Sequence, residues 1–229
     1  MKQTLLVCAA MFAITSFAFA QDAPQYELFV GGSYLHAHAS GGELDQLVDV
    51  PAIQFQQHNI NLNLLGWDSS ITENVNSWFG AEFDASGFYG TPAAGFLYPS
   101  SQLVSPNPNF SKGVPVTTRV QTFMFGPHLS MRGGGRVSFF AHLPVGVAYV
   151  NTSLSESAVV GTNFSVLPVG TLKSSTGLAL SPGVGMDLRM NGRVTIRPFQ
   201  LDYLMTHVFG QRQDNVRVSA GVNLTFGEK

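Results

Sequence analysis

Apolar and polar residues alternate one by one along most of this 229-residue chain, and no other feature constrains the fold as strongly. The clearest example runs from Val216 to Phe226, where every second residue is apolar and Arg, Ser, Gly, Asn and Thr stand between. Successive side chains of a β-strand point to opposite faces of the sheet. The segment therefore predicts a strand with one apolar and one polar face.

Eight segments show this alternation and are predicted to be strands. They are Tyr26–His36, Ile60–Thr72, Trp78–Gly87, Arg119–Arg132, Val137–Tyr149, Leu178–Met190, Arg193–Val208 and Val216–Phe226. The seventh changes phase at Pro198 and Phe199, which predicts a β-bulge because proline cannot donate to a strand ladder. The bulge would leave Arg197, Gln200 and Asp202 together on the polar face.

The connections between these segments alternate in length. The short ones are 73–76, 133–135 and 191–192. The longer ones are 37–59, 88–118 and 151–176, followed by a brief one at 210–215. Alternating short turns and longer loops are typical of a membrane β-barrel, whose turns lie at one end and loops at the other.

The apolar face is predicted to point outward, toward lipid. Charged residues make up 11% of the chain, against about 25% in soluble domains. A soluble barrel of lipocalin type is the alternative, but its exterior would need charge, and the polar face here is rich in Gly, Ser and Thr. We therefore predict an all-β fold, an eight-stranded antiparallel up-and-down transmembrane barrel in which the first strand pairs with the last.

The first twenty residues predict a cleaved secretory signal peptide, leaving 21–229 as the barrel domain. Lys2 precedes an apolar run, and Ala18 and Ala20 form an A-x-A cleavage site. An N-terminal membrane anchor is the alternative, but the apolar run is short for a spanning helix. Cys8 is the only cysteine of the chain and is removed with this segment, so the mature chain would lack thiols.

Charged and polar residues on the inward faces predict a polar network in the lumen, in which the charges pair because unpaired charges in a confined space are costly. Its predicted members are Glu27, Asp68, Glu82, Asp84, His128, His142, Asp187, Arg189, Arg197, Gln200, Asp202 and Arg217.

The last predicted strand carries a recognisable motif. Ser219, Gly221, Leu224 and Phe226 occupy the polar, glycine, hydrophobic and aromatic places of the C-terminal β-signal of bacterial outer-membrane proteins, which the segment resembles. Three residues follow Phe226, whereas that aromatic usually ends the chain or nearly so.

The mature chain as a whole resembles the OmpA-like, porin-family small barrels of diderm bacteria, in runs such as 122–127 and 196–203. The resemblance implies an integral outer-membrane protein, inserted by the barrel-assembly machinery, with both termini in the periplasm. No peptidoglycan-binding domain follows Phe226 in this sequence, so wall anchoring is not implied.

Two histidine patterns suggest more specific chemistry. His128 and Ser130 form a His-x-Ser pair like that of outer-membrane lipid A deacylases, but the following segment, Val137–Tyr149, contains no carboxylate to orient the histidine. Lumen hydrogen bonding is the favoured interpretation. His36, His38, His58 and His207 are predicted near the outer rim, where they could hold a transition metal or simply be solvated.

These patterns favour a structural or surface-interaction role, in membrane integrity or loop-mediated binding. The alternative is a narrow passive pore, for which the lumen charges would line an ion path, and a lipid-modifying enzyme is less favoured. The expected partners are outer-membrane lipid, the assembly machinery and a surface ligand at the loop 88–118. No catalytic residue, metal or cofactor is expected. A net charge of −2 without a basic run excludes nucleic acid as a partner.

Overall fold

The computed structural model describes most of the predicted strands and only parts of the connections between them. The described residues are 24–40, 59–90, 116–133, 135–154, 158–160, 165–167 and 170–228. The predicted signal peptide, with Ala18 and Ala20, lies outside them. Within these ranges, no helix is long and apolar enough to cross a membrane.

Twelve β-strands form in the described residues. They are β1 (Pro24–Ser40), β2 (Asn59–Asn74), β3 (Phe79–Gly90), β4 (Val116–Arg132), β5 (Val137–His142), β6 (Val145–Leu154), β7 (Ala158–Val160), β8 (Ser165–Leu167), β9 (Gly170–Leu180), β10 (Gly183–Arg189), β11 (Val194–Val208) and β12 (Gln211–Glu228). The short strands β7 and β8 pair only with each other.

The other ten strands close into an eight-stranded antiparallel barrel, as predicted. β5 and β6 follow each other as two parts of one barrel strand, and β9 and β10 form another. Closure comes from β1 and β12, which pair from Tyr26 with Phe226 to His36 with Val216. Closure leaves the barrel with no free sheet edge, which lipid could not satisfy.

Prolines account for the two interrupted strands, each of which the sequence predicted as continuous. Leu143 and Pro144 separate β5 from β6, and Ser181 and Pro182 separate β9 from β10. Proline has no N–H to donate, so the ladder loses a bond at each position. The neighbouring strands still meet there, because Leu143 N donates to Pro127 O at 3.1 Å and Ser181 N donates to Pro144 O at 2.9 Å.

The predicted bulge is confirmed, since the pairing of β11 with β12 shifts register between Arg197 and Gln200. The predicted connection at 210–215 is wrong, because residues 211–215 belong to β12. The chain instead turns at Phe209 and Gly210, whose φ angles are 54° and 76°. Positive φ at both central residues is characteristic of the tight turns that match the twist of a hairpin.

The apolar face points away from the barrel interior, as predicted. Phe83, Val145 and Leu224, from three different strands, are 46%, 55% and 37% exposed, whereas Asp84 and Arg217 are 0% exposed. A soluble barrel with an apolar cavity would show the reverse arrangement. The surface between the two ends is therefore suited to contact with acyl chains.

The two ends of the barrel differ. We call the end with the short connections 75–78, 133–136 and 190–193 the turn end, and Pro24 and Glu228 also lie there. The opposite end, which carries the longer connections and the β11–β12 turn, is the loop end.

Candidate functional site in the barrel interior

Because side chains alternate along each strand, the face opposite the exposed apolar one points into the barrel interior. Eight strands leave a lumen that side chains can nearly fill. Here the inward positions carry an unusual number of charges, including six carboxylates that are at most 7% exposed. These groups form contacts in layers that follow one another along the barrel axis.

Arg217 on β12 is the centre of the middle layer and contacts three aspartates. Its Nε donates to Asp202 Oδ2 at 2.7 Å, and its two terminal nitrogens donate to the two oxygens of Asp84 at 3.0 Å each. Its Nη1 also lies 3.5 Å from Asp68 Oδ1. Bidentate arginine–carboxylate pairs are among the strongest polar contacts in proteins, so this cluster fixes β12 against β2, β3 and β11.

A second group in the middle layer joins Glu82 on β3 to His128 on β4 and His142 on β5. Nδ1 of His128 contacts Glu82 Oε2, and Nδ1 of His142 lies 3.0 Å from Glu82 Oε1. The other nitrogen of His142 lies 2.6 Å from Asp202 Oδ1. Asp202 thus joins this group to Arg217, so the two groups form one continuous network.

Arg197 on β11 lies below this network, toward the turn end. Its Nε and Nη2 donate to the two oxygens of Asp187 at 2.8 and 3.1 Å, and its Nη1 donates to Gln200 at 2.9 Å. The guanidinium carbon is 4.4 Å from the ring centre of Phe29 and 4.0 Å from that of Phe140. A buried guanidinium stacked between two rings gains cation–π attraction in addition to its ion pair.

Glycines on the inward face make these contacts possible. A Cβ at Gly185 would overlap the ring of Phe140, and one at Gly31 would overlap the ring of Phe29. At Gly183 a Cβ would overlap both the carboxylate of Asp202 and the imidazole of His142. The glycine-rich polar face noted in the sequence therefore provides space for rings and charged groups from neighbouring strands.

A polar layer lies nearest the turn end, around Glu27. Arg132 contacts this carboxylate, while Asn74 and Asn223 donate to its two oxygens at 2.7 Å each. Beside it a cavity of about 820 Å³ opens at the turn end, and Ser130, Phe140 and Arg189 are among its lining residues.

Most of the large side chains buried in the loop-end half of the interior are apolar, which the alternation alone did not predict, and smaller buried polar residues such as Thr118, Thr206 and Asn215 lie among them. The core of this half is a cluster of buried side chains, and we call this set the apolar layer. It consists of Leu35, Ala37, Leu64, Phe88, Val120, Met124, Ala148, Val150, Ala179, Leu204 and Val208. These residues continue the inward-facing alternation of their strands. Extending that alternation to the strand ends is therefore sufficient to predict them from the sequence.

Eleven of the twelve residues proposed for the lumen network are buried; Arg189 is exposed at the end of β10. Asp68, Glu82, Asp84, His128, His142, Gln200, Asp202 and Arg217 come together in one network, and Asp187 with Arg197 adjoins it through Gln200. Glu27 belongs to the turn-end layer. Three further members were not predicted, although they alternate inward in the predicted strands or just beyond them: Arg132, Asn74 and Asn223.

The prediction that His128 lacks a carboxylate partner is wrong. The strand after β4 carries no carboxylate near His128, but Glu82 reaches His128 from β3, the strand before it. His128 is 2% exposed and faces the interior rather than lipid. Of the predicted rim histidines, His36 contacts Asn63 and His207 is exposed at the loop end of β11; the side chains of His38 and His58 lie outside the described part of the chain.

The four β-signal residues divide between the faces of β12. Ser219 is buried and donates to Asp68 Oδ2 at 2.7 Å. Gly221 lies against β1, where a Cβ would overlap the backbone of Val30 and Gly31. Leu224 and Phe226 are exposed on the outer face and pair with Leu28 and Tyr26 of β1.

No family model matches the chain, and no curated protein matches it in sequence. Among solved structures it is similar to neisserial surface protein A, with a TM-score of 0.54 and 8% identity over 90% of this chain and 99% of that one. OprG from Pseudomonas aeruginosa matches with a TM-score of 0.47 and 11% identity, over 90% of this chain and 98% of that one. Ail from Yersinia pestis matches with a TM-score of 0.46 and 12% identity, over 87% and 99%. The chain has the fold of the small eight-stranded outer-membrane β-barrels, in agreement with the resemblance found in its sequence.

Proposed function

We propose that this protein is a sealed outer-membrane barrel with a structural and surface-interaction role, and not a pore. The observation that carries the proposal is the double closure of its interior. The network around Arg217 and the apolar layer around Leu64 lie one above the other, and both side chains are 0% exposed. An ion crossing the barrel would have to displace a paired guanidinium and then enter a hydrocarbon-like core.

The outward apolar face supports a location in the outer membrane, because a barrel is one of the two structures whose backbone is satisfied within lipid. Export with cleavage after Ala20 and insertion by the barrel-assembly machinery belong to the same proposal. The placement of Leu224 and Phe226 on the exposed face of the closing strand supports a role for them in assembly. The turn end, with both termini, would then face the periplasm.

A sealed barrel can still act through its loops. Binding residues are commonly carried by loops on a rigid scaffold, and the connections 41–58, 91–115 and 155–169 all join strands whose described ends lie at the loop end. We propose that they contact a surface ligand, with the proline-containing connection 91–115 as the first candidate. The interior position of His128 argues against a lipid-modifying enzyme, since its imidazole faces the lumen and contacts Glu82.

Ion conductance of the refolded, reconstituted protein tests the sealed barrel against the alternative of a narrow pore. We expect no discrete openings from bilayers into which heat-modifiable, and therefore folded, protein has been inserted. The matched control is protein left unfolded by heating before reconstitution, which reports leakage from damaged bilayers. Discrete openings from the folded wild-type protein that are absent from the heated control would overturn the proposal and favour the pore.

A further inference from the structure

We propose that Glu82, His128 and His142 form a binding site for a divalent transition-metal ion of the zinc class inside the barrel. This goes beyond the proposed sealed barrel, because a structural or surface role requires no metal. The site differs from the rim histidines considered in the sequence, since none of its members is in that group.

The three residues meet because they lie on the inward faces of three adjacent strands. His128 on β4 pairs directly with His142 on β5, and Glu82 lies two residues beyond Gly80, the partner of His128 on β3. One donor atom from each residue lies within 4.8 Å of the other two. All three side chains are buried, with exposures of 1–4%.

The contacts of His142 point to a positive charge in this place. Its Nε2 lies 2.6 Å from Asp202 Oδ1 and its Nδ1 lies 3.0 Å from Glu82 Oε1. A neutral imidazole has one N–H, which can serve one of these carboxylates and leaves a lone pair facing the other. Two acceptors then face each other in a buried site, unless a proton or a metal ion lies between them.

The charges of the described interior point the same way. The buried carboxylates are those of Glu27, Asp68, Glu82, Asp84, Asp187 and Asp202, whereas Arg132, Arg197 and Arg217 are the guanidinium groups that pair with them. With all six carboxyl groups ionised and the imidazoles neutral, three guanidinium groups leave a surplus of three negative charges, which added protons or a cation must compensate out of water. A divalent cation at Glu82 would supply two of the missing positive charges.

The donor set selects the class of ion. Two imidazole nitrogens and one carboxylate match the ligands of zinc sites, whereas calcium and magnesium prefer oxygen alone. Asp202 completes the pattern, because histidines that bind metals commonly donate their other N–H to a carboxylate. That contact places the proton on Nε2 and directs the free electron pair of Nδ1 toward Glu82.

The turn-end cavity lies next to the site, separated from it by Phe140. Phe140 lines this cavity and stacks on His128, with ring centres 5.0 Å apart. Ser130, two residues from His128 on the same face of β4, lines it as well. A displacement of the Phe140 side chain would be needed to open the imidazole of His128 to the cavity.

Metal titration of the untagged, refolded, chelator-treated barrel tests the site. Co²⁺ serves as a visible probe and Zn²⁺ as its competitor. We expect one equivalent of Co²⁺ with the visible absorption of a site containing nitrogen ligands, displaced by Zn²⁺. Glu82→Gln and His142→Asn should abolish this signal, and Asp202→Asn should weaken binding about 10–100-fold, as is usual for the partner of a metal-bound histidine.

His207→Asn is the matched control, because it also removes one histidine but from the exposed loop end. It should leave the stoichiometry and the spectrum unchanged. Heat-modifiable migration shows whether each variant is folded. The wild-type titration decides the question even if a variant misfolds. A folded wild-type barrel that takes up no Co²⁺, or one whose Co²⁺ signal is lost in His207→Asn but kept in His142→Asn, would overturn the site; a doubly protonated His142 would then account for the contacts.

Discussion

The two halves of the barrel interior differ in the side chains that dominate them. Toward the turn end the lumen contains paired charges, as in the contacts of Arg217 and Arg197, whereas toward the loop end it contains Leu64, Phe88 and Leu204. Different contributions to the free energy of folding stabilise the two halves. The apolar half gains by burial and packing, whereas the charged half is stable only while every charge keeps its partner.

This difference predicts how each half responds to substitution. In the charged half, loss of one group leaves its partners buried without compensation, and the damage spreads through shared contacts. In the apolar half, loss of one group leaves a cavity whose cost is local. Denaturant unfolding of the refolded barrel in detergent tests this contrast with four substitutions, ranked here by the loss of stability that each should cause.

Arg217→Met should have the largest effect, lowering the free energy of unfolding by about 3–5 kcal/mol, because Asp68, Asp84 and Asp202 lose their shared partner. Arg212→Met is the matched control, since Arg212 contacts Asp214 on the exposed surface and should leave the unfolding midpoint unchanged. Equal unfolding midpoints for the two variants would mean that the buried contacts of Arg217 stabilise the barrel no more than an exposed ion pair does.

Leu64→Ala should lower the free energy of unfolding by about 3 kcal/mol, the cost of a cavity in a well-packed core. Leu65→Ala is the control on the next residue, which points outward and is 69% exposed, and its effect should be clearly smaller. A larger loss from Leu65 than from Leu64 would mean that the apolar layer does not behave as a packed core.

Gly183→Ala should cost about 1–3 kcal/mol, because the added methyl group must displace the carboxylate of Asp202 or the ring of His142. Gly192→Ala is its control, since a Cβ there would meet no atom within 4 Å. If both variants unfold at the wild-type midpoint, the charged half is less tightly packed than described.

Ser86→Ala should have the smallest effect, about 1 kcal/mol, because it removes one hydrogen bond with Thr122 at 2.6 Å. Ser86 lies two residues from Phe88, at the border between the halves, and has no charged partner among its described contacts. Exposed Ser174→Ala serves as the control. A loss of unfolding free energy as large as that of Arg217→Met would mean that the charged network includes Ser86.

The strands and their faces could be predicted from the sequence because lipid and lumen impose opposite demands on alternate residues. The bulge at Pro198 and Phe199 was predictable for the same reason, as a break in the alternation. The turn at Phe209 was not, because a positive φ is uncommon outside glycine and the sequence gives no sign of it.

The contacts inside the barrel were harder to predict than its strands. Alternation identifies Glu82, His128 and His142 as inward, but their meeting depends on the register between three strands, which the sequence does not state. The apolar layer was missed for a related reason. Leu35 and Leu64 share the inward register of polar residues nearer the turn end. Because most residues of the inward face are polar or glycine, the change to apolar residues toward the loop end was overlooked.

The bulge in β11 has a consequence for the whole inner surface of that strand. Because an extra residue at Pro198 and Phe199 resets the alternation, Thr195 and Arg197 before it and Gln200 and Asp202 after it all turn inward. Deleting one residue there would shift the frame of one side of β11 and rotate either Arg197 or Asp202 out among the acyl chains. This single extra residue therefore keeps both charged side chains, one on each side of the bulge, inside the barrel, where each is paired, and away from lipid, where an unpaired charge would oppose membrane insertion.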